Sequence, residues 1–264
     1  MPSTGDFPLI IAHRGSSAHA PENTLAAFRR AIADRAEGVE SDVRLTQDGE
    51  AVVFHDATLK RTGQRTEAIL AMRAEELAAV DIGSWFNLKR PARADLDFEK
   101  EKVATLAEVL EVLRGFSGLI YVELKCDPGK VEALCEAVCS VIENSHLLPQ
   151  MIVKSFELSA IPYIRRLCPN VQTAALFDVR PMTALRKESR IIQAAKVAGA
   201  HQLSVHYSLA TKGLMRLAVR ENMPATVWTV DNPRWVKKGA ELGLKAIITN
   251  DPALLLKEKN RAES

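Results

Sequence analysis

Three carboxylates and two histidines interrupt or end short apolar runs in this 264-residue chain. His13 and Arg14 follow Leu9–Ala12. Glu40 and Asp42 lie within Val39–Leu45, and His55-Asp56 follows Ala51–Phe54. Glu123 and Lys125 fall at the end of Leu119–Leu124, Lys154-Ser155-Phe156 at the end of the next run, and Trp228-Thr229-Val230-Asp231 at a later one. In an extended strand alternate residues share a face, so Glu40 points with Asp42 and Glu123 with Lys125. If those faces meet, the carboxylates of Glu40, Asp42 and Glu123 repel one another unless a cation neutralises them. An all-oxygen donor set suits Mg²⁺ or Ca²⁺ rather than zinc. The rival reading pairs the same carboxylates with Arg14, Arg44 and Lys125 as structural ion pairs. His13 and His55 would flank the cluster, and two imidazoles beside a bound group suit general acid–base catalysis near neutral pH. Arg14 and Lys125 add fixed positive charge, which together with a cation makes a site for an anion, most simply a phosphate. Trp228 offers an apolar wall. His19, His146, His201 and His206 carry no comparable context and read as structural, although His206, at a strand end, could reach the mouth.

That convergence depends on what holds the runs together. Nine β-branched apolar runs recur: Leu9–Ala12, Val39–Leu45, Ala51–Phe54, Leu119–Leu124, Met151–Lys154, Thr173–Phe177, Gln202–Val205, Ala225–Val230 and Ala246–Thr249. Helical periods lie between most of them: Leu25–Arg35 (with Asn23 or Thr24 as N-cap), Thr105–Arg114, Lys130–Asn144, Leu158–Cys168, Arg186–Gly199, Lys212–Asn222 and Pro233–Leu242. Strand alternating with helix implies a parallel sheet covered on both faces. Thr46-Gln47-Asp48-Gly49 is too short for a helix and predicts a hairpin between the second and third runs. A turn centred between Gln47 and Asp48 would return His55 opposite Glu40. Setting the returning strand aside leaves the strand count of a TIM (β/α)₈ barrel, whose catalytic groups stand at the C-terminal strand ends. The expected organisation is therefore one TIM-barrel domain over residues 1–264, with residues 57–104 as a small inserted subdomain after the hairpin. The terminal KEKNRAES reads as a frayed end.

Composition narrows the class. Hydrophobic residues make up 47% and charged residues 26%, ordinary for a soluble globular protein. The 35 basic and 33 acidic residues leave a formal charge of +2, which supplies no strong field for nucleic acid or an anionic membrane. Cys126, Cys135, Cys139 and Cys168 match no zinc or redox spacing and read as reduced packing residues. The first residues, MPSTGDFPLI, lack a leader pattern, and no run approaches the ~18 apolar residues that span a bilayer. A cytoplasmic location is expected.

Taken in order, these pieces resemble the glycerophosphodiester phosphodiesterase family. They are His13-Arg14-Gly15, Pro21-Glu22-Asn23-Thr24, Glu40-Ser41-Asp42-Val43, Thr46-Gln47-Asp48-Gly49 and His55-Asp56 with Arg61-Thr62. Glu123-Leu124-Lys125, Ser155-Phe156, Trp228-Thr229-Val230-Asp231 and Thr249-Asn250-Asp251-Pro252 complete the set. The resemblance implies a TIM barrel with an insert after His55-Asp56. It implies hydrolysis of a glycerophosphodiester, as a small-molecule substrate, to sn-glycerol 3-phosphate and an alcohol. It implies a divalent cation on Glu40, Asp42 and Glu123, His13 and His55 as the catalytic pair, and Arg14 and Lys125 as phosphate contacts. The alternatives are a related phosphodiesterase acting on lysophospholipids or glycerophosphoinositol, and a barrel that binds such ligands without turning them over.

Overall fold

The computed structural model describes residues 6–179 and 188–264. Among them, parallel strands β1 (Leu9–His13) and β2 (Gly38–Leu45), then β4 (Leu119–Leu124), β5 (Met151–Ser155), β6 (Gln172–Phe177), β7 (Gln202–His206), β8 (Ala225–Trp228) and β9 (Ala246–Thr249), close into a TIM barrel. Closure comes from β1, which pairs with both β9 and β2. The outer layer is α1 (Leu25–Ala33), α4 (Leu106–Val112), α5 (Val131–Ile142), α6 (Ala160–Leu167), α7 (Glu188–Ala198), α8 (Lys212–Arg220), α9 (Trp235–Leu242) and α10 (Pro252–Glu263). Arg186, the expected start of α7, lies outside the described residues.

Strand parity explains the two layers of core. Along β4, Ile120, Val122 and Leu124 face outward and pack with Phe28 of α1, Leu110 of α4 and Val138 of α5. Tyr121 faces the lumen with Ile11, Ile152, Ala174, Ala246 and Ile248. Each of the Ile, Val and Leu side chains taken fully from water contributes roughly 1.5–3 kcal/mol. Glu123 shares the face of Tyr121, so the same alternation that builds the core aims a carboxylate into the barrel.

Between β1 and α1 the chain turns sharply. Gly15 has φ +74°, and a Cβ there would stand 2.5 Å from the Ala27 carbonyl carbon, so conformation and space both require glycine. Thr24 is the α1 N-cap, its Oγ1 accepting from Ala27 N at 3.2 Å. Asn23, the other expected cap, instead takes φ +59° and turns its amide toward the barrel mouth.

The long β2 positions the third strand. Gly38–Glu40 pair with β1, whereas Val43–Leu45 pair antiparallel with β3 (Ala51–Val53). Because Val43 also pairs with Leu124 of β4, β3 occupies the same edge of β2 as β1, directly above its C-terminal end. His55, two residues past β3, is thereby delivered above the end of the strand that carries His13. The register differs by one from expectation. Val43 faces Val53 and Leu45 faces Ala51, so the hairpin centres on Asp48 and His55 does not stand opposite Glu40. The cause is the loop: Thr46 N donates to Glu50 O, and Gly49 at φ +84° makes a three-residue connection rather than a two-residue one.

Residues 57–104 contain short helices, α2 (Ala74–Leu77) and α3 (Ser84–Lys89), and 3₁₀ turns. Leu59, Ile69, Met72, Leu77, Val80, Ile82 and Val103 gather around Val52 and Phe54 as a satellite cluster on the rim. Arg90 Nη1 reaches the Ala18 carbonyl at 2.7 Å, tying this segment to the β1–α1 loop. The C-terminus corrects the expected fraying. Helix α10 runs to Glu263, and Lys259 is buried with Nζ 2.7 Å from Glu37 Oε1. Glu37 in turn accepts from Ile10 N at 2.8 Å, so the last helix is fastened to the first strand.

Candidate active site

Partners in a parallel pair point the same way, so the register writes out the barrel mouth as rows. Asp42, Glu123 and Lys154 are successive partners across β2, β4 and β5. His13 partners Glu40 in the row beneath. Glu40, Asp42 and Glu123 are all buried, and each offers an oxygen within 4.8 Å of the others. That spacing fits oxygens sharing one ion at about 2.0–2.6 Å.

Three side-chain cations surround the cluster. Lys154 is 2% exposed, with Nζ 2.9 Å from Glu40 Oε1 and 3.2 Å from Glu123 Oε2. Lys125 Nζ lies 3.1 Å from Asp42 Oδ1 and also contacts Glu123. Arg14 Nε is 3.0 Å from Asp42 Oδ2, and its backbone N–H donates to Glu40 Oε2 at 3.1 Å. Asn23 Nδ2 donates to Asp42 Oδ2 at 2.9 Å. Burial opposes the charge on Asp42, yet Arg14 and then Lys125 outweigh it and hold the carboxyl well below the usual range. Glu123 is likewise held low against burial, by Lys154 and Lys125. Glu40 Oε1 and Asp42 Oδ1 remain buried acceptors without a hydrogen bond of proper geometry, despite the nearby ammonium groups. Oxygen donors, tight spacing and spare acceptor capacity make this a set that could hold a divalent cation. Of the ion pairs that the rival reading expected, those of Arg14 and Lys125 form, whereas Arg44 binds Asp127 and the His55 carbonyl.

The two histidines reach this cluster from different elements, and both add to the field on Asp42. His13 Nδ1 meets Asn250 Oδ1 at 2.7 Å, and its Nε2 lies 4.0 Å from Glu40 Oε2. Burial, followed by the charge of Arg14, lowers its proton affinity, against the opposing pull of Glu40 and Asp42. His55 Nδ1 meets Asp56 Oδ1 at 2.5 Å. Asp56 accepts from Arg61 Nε at 2.6 Å, and Arg61 grips Glu22 through both terminal nitrogens at 2.7 Å. Glu22 also accepts from Arg14 Nη1 at 2.6 Å. A continuous chain of ion pairs, closed by the His55–Asp56 hydrogen bond, thus runs from Arg14 to His55 across the mouth.

The opposite rim is aromatic. Phe156 and Trp228 meet edge to face at 5.5 Å, and Lys125 Nζ stands 5.9 Å from the Phe156 ring. His206 packs on Trp228 at 5.5 Å, while its Nδ1 stays with Ser208. His19 pairs with Asp251 and His201 with Thr173, both away from the carboxylates.

Residues 13–254 match the model of the Glycerophosphoryl diester phosphodiesterase family. The chain belongs to this family. It is 30% identical over 252 residues to a glycerophosphodiester phosphodiesterase of Caldanaerobacter subterraneus, covering 94% of this chain and 96% of that one. It is 28% identical to a Bacillus subtilis glycerophosphodiester phosphodiesterase, with 96% and 87% covered. The fold superposes with TM-score 0.85 on an Oleispira antarctica phosphodiesterase solved with its product sn-glycerol-3-phosphate, at 26% identity and 96% and 97% coverage. The chain is accordingly an enzyme, a phosphodiesterase. No helix among the described residues is long and apolar enough to cross a membrane.

At the barrel mouth His13, Arg14, Glu40, Asp42, His55, Glu123 and Lys125 come together, with Trp228 on the facing wall. Sequence reasoning gave no role in the site to Lys154, Glu22, Asp56, Arg61, Asp231 or Asn250, and read Asn23 only as a helix cap. One signal was readable for Lys154: a lysine closing the apolar run Met151–Val153, on the strand expected beside Glu123. The others sit in loops, where no periodicity tells which way a side chain faces.

Proposed function

We propose that the chain hydrolyses glycerophosphodiesters to sn-glycerol 3-phosphate and an alcohol, with Mg²⁺ or Ca²⁺ held by Glu40, Asp42 and Glu123. The observation that carries this reading is the unlike fastening of two imidazoles beside one carboxylate cluster. His13 rests on a neutral amide, whereas His55 rests on a carboxylate that Arg61 keeps charged. A neutral partner suits a proton acceptor, and an anionic partner stabilises an imidazolium ready to donate.

His13 Nε2 therefore removes the proton from the attacking oxygen. That oxygen bonds to phosphorus as the bond to the leaving alcohol breaks, and His55 Nε2 delivers its proton to the departing oxygen. If the nucleophile is the glycerol hydroxyl next to the ester, the product is a cyclic phosphate. Water then opens it with the roles reversed, His55 accepting a proton and His13 returning one to the ring oxygen. If water attacks directly, the first step alone completes the reaction. Arg14 and Lys125 stabilise the charge gathering on the phosphoryl oxygens. When bound, the cation supplies Lewis-acid polarisation of a phosphate oxygen. Trp228 and Phe156 form the apolar side against which the substrate's carbon skeleton lies.

The test is a coupled assay for glycerol 3-phosphate, run on a panel of glycerophosphodiesters with each cation. Release of glycerol 3-phosphate is expected. Binding of these substrates without release under any cation would overturn the catalytic reading in favour of a ligand-binding barrel.

A further inference from the structure

Asp231, just beyond β8, has no hydrogen bond to the carboxylate cluster, and its two oxygens bind the residue whose amide faces His13. Its Oδ1 accepts from the Asn250 backbone N–H at 2.8 Å and from Thr249 Oγ1 at 3.0 Å. Its Oδ2 accepts from Asn250 Nδ2, also at 2.8 Å. A carboxylate only accepts, so the NH₂ end of the Asn250 amide must face Asp231. The amide oxygen is thereby turned to the other side, where it lies 2.7 Å from His13 Nδ1 and 3.0 Å from Ser17 Oγ. An amide oxygen also only accepts. Both groups facing it must then donate, and the imidazole proton of His13 is placed on Nδ1. Nε2, on the side of Glu40, is left with its lone pair.

We propose that Asp231 and Asn250 are positioning residues that hold His13 in its Nδ1–H tautomer, keeping Nε2 open toward the carboxylate cluster. Asp231 acts through Asn250 alone. With the carboxylate removed, the amide can rotate by a half-turn and present NH₂ to the ring. That rotamer favours a bare Nδ1 and a proton on Nε2, the tautomer that cannot accept one. The catalytic consequence rests on the reading of His13 as the proton acceptor; the tautomer itself does not.

The ¹⁵N spectrum of histidine-labelled protein separates the two tautomers, and the His13 signals are those missing from His13→Ala. In the wild-type chain His13 should show the Nδ1–H pattern. In Asp231→Ala the Nε2–H pattern should appear, and kcat for glycerophosphodiester hydrolysis should fall roughly 10–100-fold with KM nearly unchanged. Asp231→Asn should not recover the rate, because its one amide oxygen is claimed by the Asn250 backbone N–H and Thr249 Oγ1, so its NH₂ faces the Asn250 side chain and favours the same half-turn. An Nε2–H pattern in the wild type overturns the proposal, as does an Asp231→Ala protein that keeps both the Nδ1–H pattern and its kcat. A chain that shows the expected tautomers but releases no glycerol 3-phosphate leaves the positioning role standing and removes the proposed reaction.

Discussion

Lys154 Nζ lies 2.9 Å from Glu40 Oε1, and neither side chain is open to solvent. Burial weakens the hold of Lys154 on its proton, but Glu40 and then Glu123 more than restore it, so the ammonium is charged. This is a counter-ion built into the floor of the site. Removing one partner of a buried pair leaves the other uncompensated, at a cost of about 3–5 kcal/mol. Lys154→Met should therefore lower the urea midpoint by a corresponding amount. Added Ca²⁺ or Mg²⁺ should restore part of that loss by supplying the missing positive charge. An unchanged midpoint in the variant would mean that the carboxylates do not need Lys154.

The assigned proton transfers make His13→Ala and His55→Ala each lose roughly 10²–10⁴ in kcat, with circular dichroism unaltered. Turnover within a factor of a few of wild type in either variant would remove that histidine from the reaction.

Exhaustive chelation should abolish hydrolysis, and titrating Mg²⁺ or Ca²⁺ back should restore it. Glu123→Gln should shift the restoring titration to higher cation concentration, since one charged donor is lost. Full rates in the presence of excess EDTA would exclude the cation from the mechanism.

Glu22 predicts a pH dependence of stability. Burial alone would raise its pKa, but Arg61 and Arg14 outweigh burial and hold the carboxyl at about 2, against an ordinary 4.5. A folded pKa below the unfolded one contributes stability above pH 4.5 that is lost as pH falls from 4.5 toward 2. Glu22→Gln should cost roughly 2 kcal/mol at pH 7, discounted because Arg61 is partly open to solvent. The gap between variant and wild type should shrink as the pH drops below 4.5. Parallel melting curves from pH 7 to pH 3 would contradict this account.

How much of this was legible beforehand follows from how far each side chain sits from regular structure. Glu40, Asp42 and Glu123 lie within strands, and a strand has a period of two, so their common orientation could be read without coordinates. His13 and Arg14 stand at the end of β1, where an α/β barrel places its chemistry. The hairpin was visible in Thr46–Gly49, yet its centre was misplaced by one register step. Gly49 is the residue type that favours the left-handed position of a three-residue loop, a signal that a turn centred between Gln47 and Asp48 leaves unused. The tail KEKNRAES looked frayed because its polarity is local information. Its anchor, Glu37, lies 222 residues away in sequence.

Amino-acid order by itself determined the alternation of strand and helix, and with it the barrel. It also determined which carboxylates and histidines stand at the strand ends. Those properties rest on periodicity and on chain-local sterics, which need no distant partner. Tertiary structure alone decided the rest: that Lys154 neutralises Glu40, that Arg61 and Asp56 fasten His55, and that Asp231 turns the Asn250 amide toward His13. Hydrogen bonds and ion pairs act over a few ångströms, between groups that only closure of the barrel brings within reach.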